Sequence, residues 1–74
     1  MKKILVLSFD IPLSRASFRV KIWRELNKLE AENRMRSHWV LPFSKKNLLE
    51  FKRLAEEIKK EGCKVELILG RVIG

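Results

Sequence analysis

The sequence predicts an α+β fold in which four strands and two helices follow one another in the order β-α-β-β-α-β. Two periodicities give this prediction. Continuous or alternating apolar residues indicate strands, whereas apolar residues three or four positions apart indicate amphipathic helices. The chain has 74 residues, of which 46% are apolar, and this is enough for one hydrophobic core. We therefore expect a single domain over residues 1–74.

The first predicted elements are a strand and a helix. Residues 4–9 form a continuous run of strand-forming residues, which is typical of a central strand buried on both faces. Asp10 ends this run. A helix is predicted over residues 17–29, with Ser14 or Ser17 as its cap, because a serine oxygen accepts a free N–H of the first turn. The buried face of this helix is formed by Phe18, Ile22, Leu26 and Leu29.

The middle of the chain predicts a hairpin. Residues 34–36 alternate polar and apolar side chains, as in a half-exposed edge strand. Residues 37–42 form the next strand, which Pro42 closes because proline cannot donate to a sheet. A tight turn at residues 36–37 would join the two strands.

The last third of the chain predicts a helix and a final strand. Ser44 caps a helix over residues 45–61, and Gly62 suits the left-handed position beyond its end. A strand follows over residues 63–69, and residues 70–74 form a stub. The buried stripe of the helix consists of Leu48, Phe51, Ala55 and Ile58.

This order of elements predicts a ferredoxin-like sandwich, with two helices on one face of a four-stranded antiparallel sheet. The first and third strands are central and the other two are edges. The fourth strand would be an exposed edge, and Val72 and Ile73 after it have nothing obvious to pack on. Because natural proteins protect such edges, we expect a partner subunit and hence a homodimer.

The charge indicates a polyanionic partner. Seventeen Lys and Arg residues against nine Asp and Glu give a net charge of +8. Residues 1–47 hold eleven basic and four acidic side chains, a net +7, whereas residues 48–74 have a net +1. A localised positive field attracts nucleic acid. The alternative is a solvated charged surface that serves only solubility.

Other classes of function are disfavoured by composition. Cys63 is the single cysteine, so the chain has no internal disulfide and no Cys/His cluster with metal-ligand spacing. The apolar run near the N-terminus is too short for a signal peptide, and no stretch is long enough to span a membrane. We expect a cytoplasmic protein with no membrane partner and no small-molecule cofactor.

Asp10 is the candidate catalytic and metal-binding residue. It follows a central strand, where a carboxylate can hold Mg²⁺ while water and phosphate fill the other positions. One Asp per chain is a poor site, but two copies facing each other across a dimer axis would form a plausible one. The alternative is a turn residue whose side chain accepts hydrogen bonds from the following backbone.

Basic side chains are the candidate contacts to RNA or DNA, because arginine in particular binds phosphate through two parallel hydrogen bonds. The two tryptophans are alternatives for base stacking or for packing. Trp39 shares a strand face with Leu41, which favours the core, whereas Trp23 lies off the apolar stripe. The predicted nucleic-acid contacts are Arg15, Arg19, Arg24, Arg34, Arg36, Lys45 and Lys46.

Residues 5–11, Leu-Val-Leu-Ser-Phe-Asp-Ile, resemble the opening of the second CRISPR-associated protein (Cas2-like) superfamily, whose members are small dimeric subunits of spacer acquisition. Members have an apolar strand that ends in aromatic-Asp, followed by an arginine-rich helix. Residues 37–39 partly match a second signature, with His38 in the place of an apolar residue. Residues 19–26 and 39–42 are more similar to a sister group, the chromate-resistance regulator N-terminal domains and phenylacetate-type repressors.

The resemblance implies a ferredoxin-like dimer. In some members it implies Mg²⁺-dependent nuclease activity, with the aspartates of both subunits meeting at the interface. In other members the role is structural and bridges an integrase to DNA. By position, Asp10 would be the metal aspartate, and Arg15 and Arg19 the contacts to the nucleic-acid backbone. The chain departs from the pattern after its first helix, where residues 30–33 lack the usual glycine.

Two main hypotheses follow. The first is a dimeric nucleic-acid-binding domain related to the spacer-acquisition subunit, either with or without Mg²⁺-dependent endonuclease or endoribonuclease activity through a metal ion on Asp10. The second is a non-catalytic regulatory or interaction module of the same fold, which dimerises through its fourth strand. A purely structural subunit that binds an acidic protein is a third reading.

Overall fold

A four-stranded antiparallel sheet with two helices on one face forms the molecule, and this confirms the predicted ferredoxin-like α+β fold. The computed structural model describes residues 2–35 and 38–73. A short 3-10 turn at Leu13–Arg15 precedes the first helix. The elements are β1 (Lys2–Asp10), α1 (Ala16–Lys28), β2 (Glu32–Met35), β3 (His38–Pro42), α2 (Lys45–Lys60) and β4 (Lys64–Val72).

The strand order in the sheet is β2-β3-β1-β4, so β1 and β3 are central, as predicted. β1 pairs with β4 over its whole length, from Lys2 opposite Val72 to Asp10 opposite Lys64. Since β1 and β4 are antiparallel, the sheet has one end where β1 begins and β4 ends, and another where β1 ends and β4 begins. The candidate functional side chains described below lie at one or the other of these two ends.

The core lies on one face of the sheet only. Leu5 and Leu7 of β1 are 1% and 0% exposed, whereas Val6 and Ser8, which alternate with them along the strand, are half-buried. The prediction that β1 is buried on both faces was therefore wrong. Both helices pack on the same side, so the opposite sheet face, which we call the open face, has no helix to cover it.

The entry into α1 differs from the prediction. Neither Ser14 nor Ser17 caps the helix, because the chain enters α1 directly from the 3-10 turn. Arg15 occupies the cap position, and its N–H donates to the carbonyl oxygen of Pro12 at 3.0 Å. The helix nonetheless has the predicted buried face, with Ile22 and Leu26 both 0% exposed.

The hairpin is shifted from its predicted boundaries. α1 ends at Lys28 and is followed by Glu30, whose φ of 60° lies in the left-handed region. The chain then enters β2 at Glu32 instead of Arg34. β3 is described from His38 onward, and the predicted turn at residues 36–37 lies outside the described residues. β2 pairs with β3 with a register shift between Asn33 and Met35.

The second helix follows the prediction closely. The Ser44 hydroxyl accepts the N–H of Asn47 at 3.0 Å and caps α2. α2 ends one residue before its predicted end, and Gly62 has the predicted left-handed conformation with a φ of 77°. The buried stripe contains Phe51, Leu54 and Ile58, with Leu48 and Ala55 packed beside them. Neither α1 nor α2 is sufficiently long and apolar to cross a bilayer.

β4 is longer than predicted. The sequence predicted a strand over residues 63–69 and a stub after it, but β4 runs from Lys64 to Val72. Gly70 is poor in strand propensity, yet it continues the ladder opposite Ile4 of β1. Pairing with a central strand therefore extends β4 through a glycine. Ile73 beyond the strand is 83% exposed.

Candidate nucleic-acid interface

An open cleft of about 700 Å³ lies where β1 ends, between the flank of α1 and the β2–β3 hairpin. We call it the strand-end cleft. Pro12 and Leu13 form part of its rim, and the rest of its lining comes from elements distant in sequence. Its lining includes Asp10, Arg19, Val20, Trp23, Asn33 and Trp39.

Asp10 lies at the mouth of the strand-end cleft. It is the last residue of β1, is exposed, and stands opposite Lys64 in the sheet register. The next residue, Ile11, is 6% exposed and belongs to the core, so it fixes the chain directly after the aspartate. Strand alternation puts Asp10 on the open face with Val6 and Ser8. The carboxylate therefore lies at the corner between the cleft and the open face.

The exposed flank of α1 forms one wall of the cleft. Arg19 and Trp23 are one turn apart and therefore point the same way along the helix. Both are exposed, and Trp23 retains 56% of its accessible surface. The guanidinium of Arg19 forms no ion pair with any described residue. Arg19 of α1 and Asp10 of β1 therefore line the same cleft.

The floor of the cleft comes from the hairpin. Trp39 is 5% exposed and packs in the core, so the prediction that it is a core residue is confirmed. Asn33 stands opposite Trp39 in the β2–β3 register and is exposed. The sequence analysis missed Asn33 because only this strand pairing brings it to the cleft. The alternation of the hairpin strands could have indicated it.

Arg15 is held by the protein itself. It forms an ion pair with the Glu61 carboxylate and donates a hydrogen bond to the backbone carbonyl of the same residue. Its guanidinium also lies over the Phe18 ring, 5.4 Å from the ring centre, and 3.9 Å from the Sγ of Cys63. Arg15 therefore links the start of α1 to the end of α2, and its donors are largely engaged.

The remaining predicted arginines lie elsewhere. Arg24 is exposed on the outer side of α1 and has no ion-pair partner among residues 2–35 and 38–73. Arg34 lies on the edge strand β2, and its Nε is 3.3 Å from the Oε1 of Glu32. Arg36 lies outside the described residues.

Lys45 and Lys46 lie at the other end of the sheet from Asp10. They begin α2, directly after the residue pair 43–44, and the Phe43 N–H donates to the Lys3 carbonyl at 3.0 Å. Lys3 stands opposite Arg71 in the β1–β4 register. These cations form a second basic cluster at the end where β1 begins. The sequence analysis missed Lys3 and Arg71 because the β4 ladder alone brings them together.

Acidic side chains concentrate between the two helices. Glu25 of α1 lies 3.5 Å from Arg53 of α2, and Glu57 of α2 forms an ion pair with Lys21 of α1. The hydrogen bond from Lys21 to Glu57, together with the negative charge of Glu57, raises the pKa of Lys21 above its ordinary value. Carboxylates in this helix seam are therefore neutralised locally and leave the cleft cations free.

One chain provides a single carboxylate for a divalent cation at this site. Within the described ranges, no group of three or more His, Cys, Asp or Glu side chains is placed to hold a metal ion. Mg²⁺ binds through one or two carboxylates together with water and phosphate oxygens. Asp10 fits such a role only when a second carboxylate or a phosphate completes the coordination.

The fold and the cleft define a class of protein: a ferredoxin-like α+β domain whose first strand ends in an exposed aspartate beside an arginine-bearing helix. A solved structure described as the crystal structure of Cas2 matches this chain with a TM-score of 0.65 and 20% sequence identity. The match covers 100% of this chain and 88% of the Cas2 chain. The chain therefore has a Cas2-like fold. No protein-family model and no curated protein sequence matches it.

Proposed function

We propose that this chain is a homodimeric, CRISPR-associated nucleic-acid-binding protein of the Cas2 kind. The observation that supports this function best is the strand-end cleft, which is lined by both Asp10 and Arg19, while no described carboxylate pairs with this arginine. Arg19 supplies planar donors for a phosphate, and Asp10 supplies the carboxylate that a phosphate-bound metal ion needs. The net charge of +8 adds a long-range attraction for RNA or DNA.

The phosphate contacts divide into two groups. Arg19 in the strand-end cleft and Arg24 on the outer side of α1 have guanidinium groups that no described carboxylate engages. At the opposite end, Lys45 and Lys46 lie on the first turn of α2, where their charge opposes the helix dipole. Phosphate contact would offset this unfavourable charge. Arg15 serves mainly to join the two helices in this scheme, and Arg34 extends the basic surface along β2. Arg36 stays a predicted contact outside the described residues.

A second copy of the chain is the proposed cover of the open face. Val40, Val6 and Ile68 stand in one row across β3, β1 and β4, and this row is apolar. Two lysines, Lys2 and Lys64, flank the row on this face. The same face also carries the carboxylates of Glu32 and Glu66. Two copies related by a two-fold axis would bury this row between them. The proposed axis runs parallel to β1, so that the Asp10 side chain of each copy faces that of the other.

Such a pair of aspartates is the proposed site of Mg²⁺ and of endonuclease activity. Each Asp10 would donate carboxylate oxygens, and phosphate oxygens and water would complete the shell. A bound Mg²⁺ would polarise the phosphoryl group and lower the pKa of a bound water. Arg19 would orient the same phosphate by two parallel hydrogen bonds.

The experiment that tests this function is a cleavage and binding assay. Labelled single- and double-stranded RNA and DNA are incubated with the protein in Mg²⁺ or in EDTA, beside Asp10→Ala. We expect metal-dependent cleavage that the variant loses, with binding retained. Binding without cleavage in any metal condition would refute the nuclease role. No binding at low salt would refute the nucleic-acid function.

The second candidate function is a non-catalytic regulatory or interaction module, of the type found in chromate-resistance regulators and phenylacetate-type repressors. The isolation of Asp10 favours this function, because no other acidic side chain among the described residues lines the cleft. The same assay separates the two functions. Salt-sensitive binding that Asp10→Ala leaves unchanged, with intact substrate in Mg²⁺, supports the module.

A further inference from the structure

Trp23 is an exposed aromatic residue that does not belong to the hydrophobic core. The indole is 56% exposed, and it lies on the flank of α1, away from the fully buried Ile22 and Leu26. Two further apolar residues border the same cleft, Val20 at 46% and Leu13 at 80% exposed. Exposed apolar surface of this kind, next to polar side chains, marks a binding site more often than a packing defect.

The charges beside Trp23 select a negatively charged ligand. Arg19 is one turn before Trp23 on α1, and Arg24 is one turn after Val20. Neither guanidinium forms an ion pair within the described part of the chain. The ligand that fits is therefore a flat apolar group with an attached anion, and a nucleotide has this chemistry.

The polar groups of the cleft favour a nucleobase over an acidic peptide. Asn33 offers an amide that both donates and accepts hydrogen bonds, and Asp10 offers a carboxylate that only accepts. The amino groups of cytosine, adenine and guanine are donors that suit this carboxylate. A peptide carboxylate placed at the same position would instead be repelled by Asp10.

We propose that the strand-end cleft binds an unpaired nucleobase stacked on Trp23, with its phosphate on Arg19. The proposal rests on the nucleic-acid-binding function above and specifies its substrate as single-stranded. A paired base has both faces covered by its neighbours in the duplex, whereas an unpaired base can stack on an aromatic side chain. All bases can stack on an aromatic ring, so the site distinguishes single-stranded from double-stranded nucleic acid more than it distinguishes one sequence from another.

Tryptophan fluorescence provides a direct test, because the two tryptophans differ in exposure. Trp39 lies at the floor of the cleft but is only 5% exposed, so a base stacked on Trp23 quenches mainly Trp23. We expect a single-stranded homopolymer oligonucleotide to quench the emission of the wild-type protein. The Trp23→Phe variant should retain little quenching. Quenching that persists in Trp23→Phe would overturn the proposal. So would a wild-type complex that another probe detects but in which the tryptophan emission is not quenched.

Affinity measurements separate this site from general electrostatic binding. Trp23→Ala should weaken binding of the single strand by about 5- to 100-fold, which corresponds to the usual contribution of one stacked base, and leave duplex binding unchanged. Leu49→Ala is the matched control, since Leu49 is 63% exposed but lies on α2 outside the cleft. Circular dichroism and thermal melting establish that both variants fold.

The outcomes distinguish the site from the proposed function. If Trp23→Ala binds the single strand as tightly as the wild type, the stacking site is wrong while nucleic-acid binding stands. In that case the exposed Trp23 would be assigned to a protein partner. If Trp23→Ala weakens the single strand and the duplex equally, the claim for unpaired bases is wrong. If the wild-type protein binds neither, the proposed function itself fails.

Discussion

Arg15 at the start of α1 forms an ion pair with Glu61 directly after α2, across 46 positions of the sequence. The same guanidinium covers the Phe18 ring and approaches Cys63. One side chain therefore joins the entry of the first helix to the exit of the second. Arg15, which the sequence predicted to contact phosphate, therefore has a structural role.

We predict that Arg15→Ala destabilises the protein more than it weakens nucleic-acid binding. The side chains of Arg15 and Glu61 are 35% and 42% exposed, so solvent screens their attraction. The ion pair and the contact over Phe18 are both lost in the variant, so we expect its free energy of unfolding to be lower by about 1–2 kcal/mol. Urea denaturation monitored by circular dichroism measures it.

Arg24→Ala is the control for this prediction. Arg24 is exposed and has no ion-pair partner in the described ranges, so its removal should change the free energy of unfolding by less than about 0.5 kcal/mol. Equal stability of both variants, combined with a larger affinity loss in Arg15→Ala, would show that Arg15 serves nucleic acid first.

The Lys21–Glu57 contact predicts a loss of stability at alkaline pH. Its hydrogen bond raises the pKa of Lys21 in the folded state above the ordinary value of 10.5. The contact therefore contributes its full stabilisation to the fold below pH 10.5. This contribution is lost as the pH rises through the pKa that Lys21 has in the folded protein. The chain has no tyrosine to titrate in the same range.

Thermal melting as a function of pH measures this effect. We expect Lys21→Met to melt with a shallower decline across the alkaline range than the wild type. Lys59→Met is the control, because Lys59 forms no ion pair with any described residue. Identical alkaline profiles for the wild type and Lys21→Met would contradict the prediction.

Local signals predicted the parts of the fold that depend on neighbours in sequence. The cap at Ser44 and the left-handed Gly62 follow from the chemistry of single residues, and both are present. The central position of β1 followed from its apolar run. The start of α1 was predicted to within one residue, but its cap was not, because the chain enters the helix through a 3-10 turn that propensity alone does not reveal.

Long-range pairing explains what the sequence did not indicate. β4 continues beyond Gly70 because β1 provides a strand for it to pair with, and Asn33 reaches the cleft because it pairs with Trp39. The predicted cations also divide between two ends of the sheet. Arg19 lies near the end of β1, whereas Lys45 lies near its beginning, because α1 and α2 start at opposite ends of the sheet.

The open face gives a prediction about oligomeric state. Ile68 is 42% exposed and lies in the apolar row opposite Val6. If a second copy covers this row, Ile68→Lys buries a charge at the interface and should convert the dimer to a monomer. Sedimentation equilibrium of the wild type and the variant measures the change, and thermal melting checks the fold.

The control for the oligomeric state is a charge placed away from the open face. Leu49→Lys on α2 adds the same charge at a site that is 63% exposed, and it should leave the dimer intact. A wild-type protein that sediments as a monomer at all concentrations, or an unaffected Ile68→Lys dimer, would refute the proposed interface.

We propose above all that Arg19 in the strand-end cleft and Arg24 on the same helix bind phosphate, and the salt dependence of affinity tests this most directly. The dissociation constant of a single-stranded oligonucleotide is measured over a range of salt concentrations for the wild type, Arg19→Ala and Arg24→Ala. We predict a steep slope for the wild type that each substitution flattens by about 0.7. Slopes that neither substitution alters would contradict the claim.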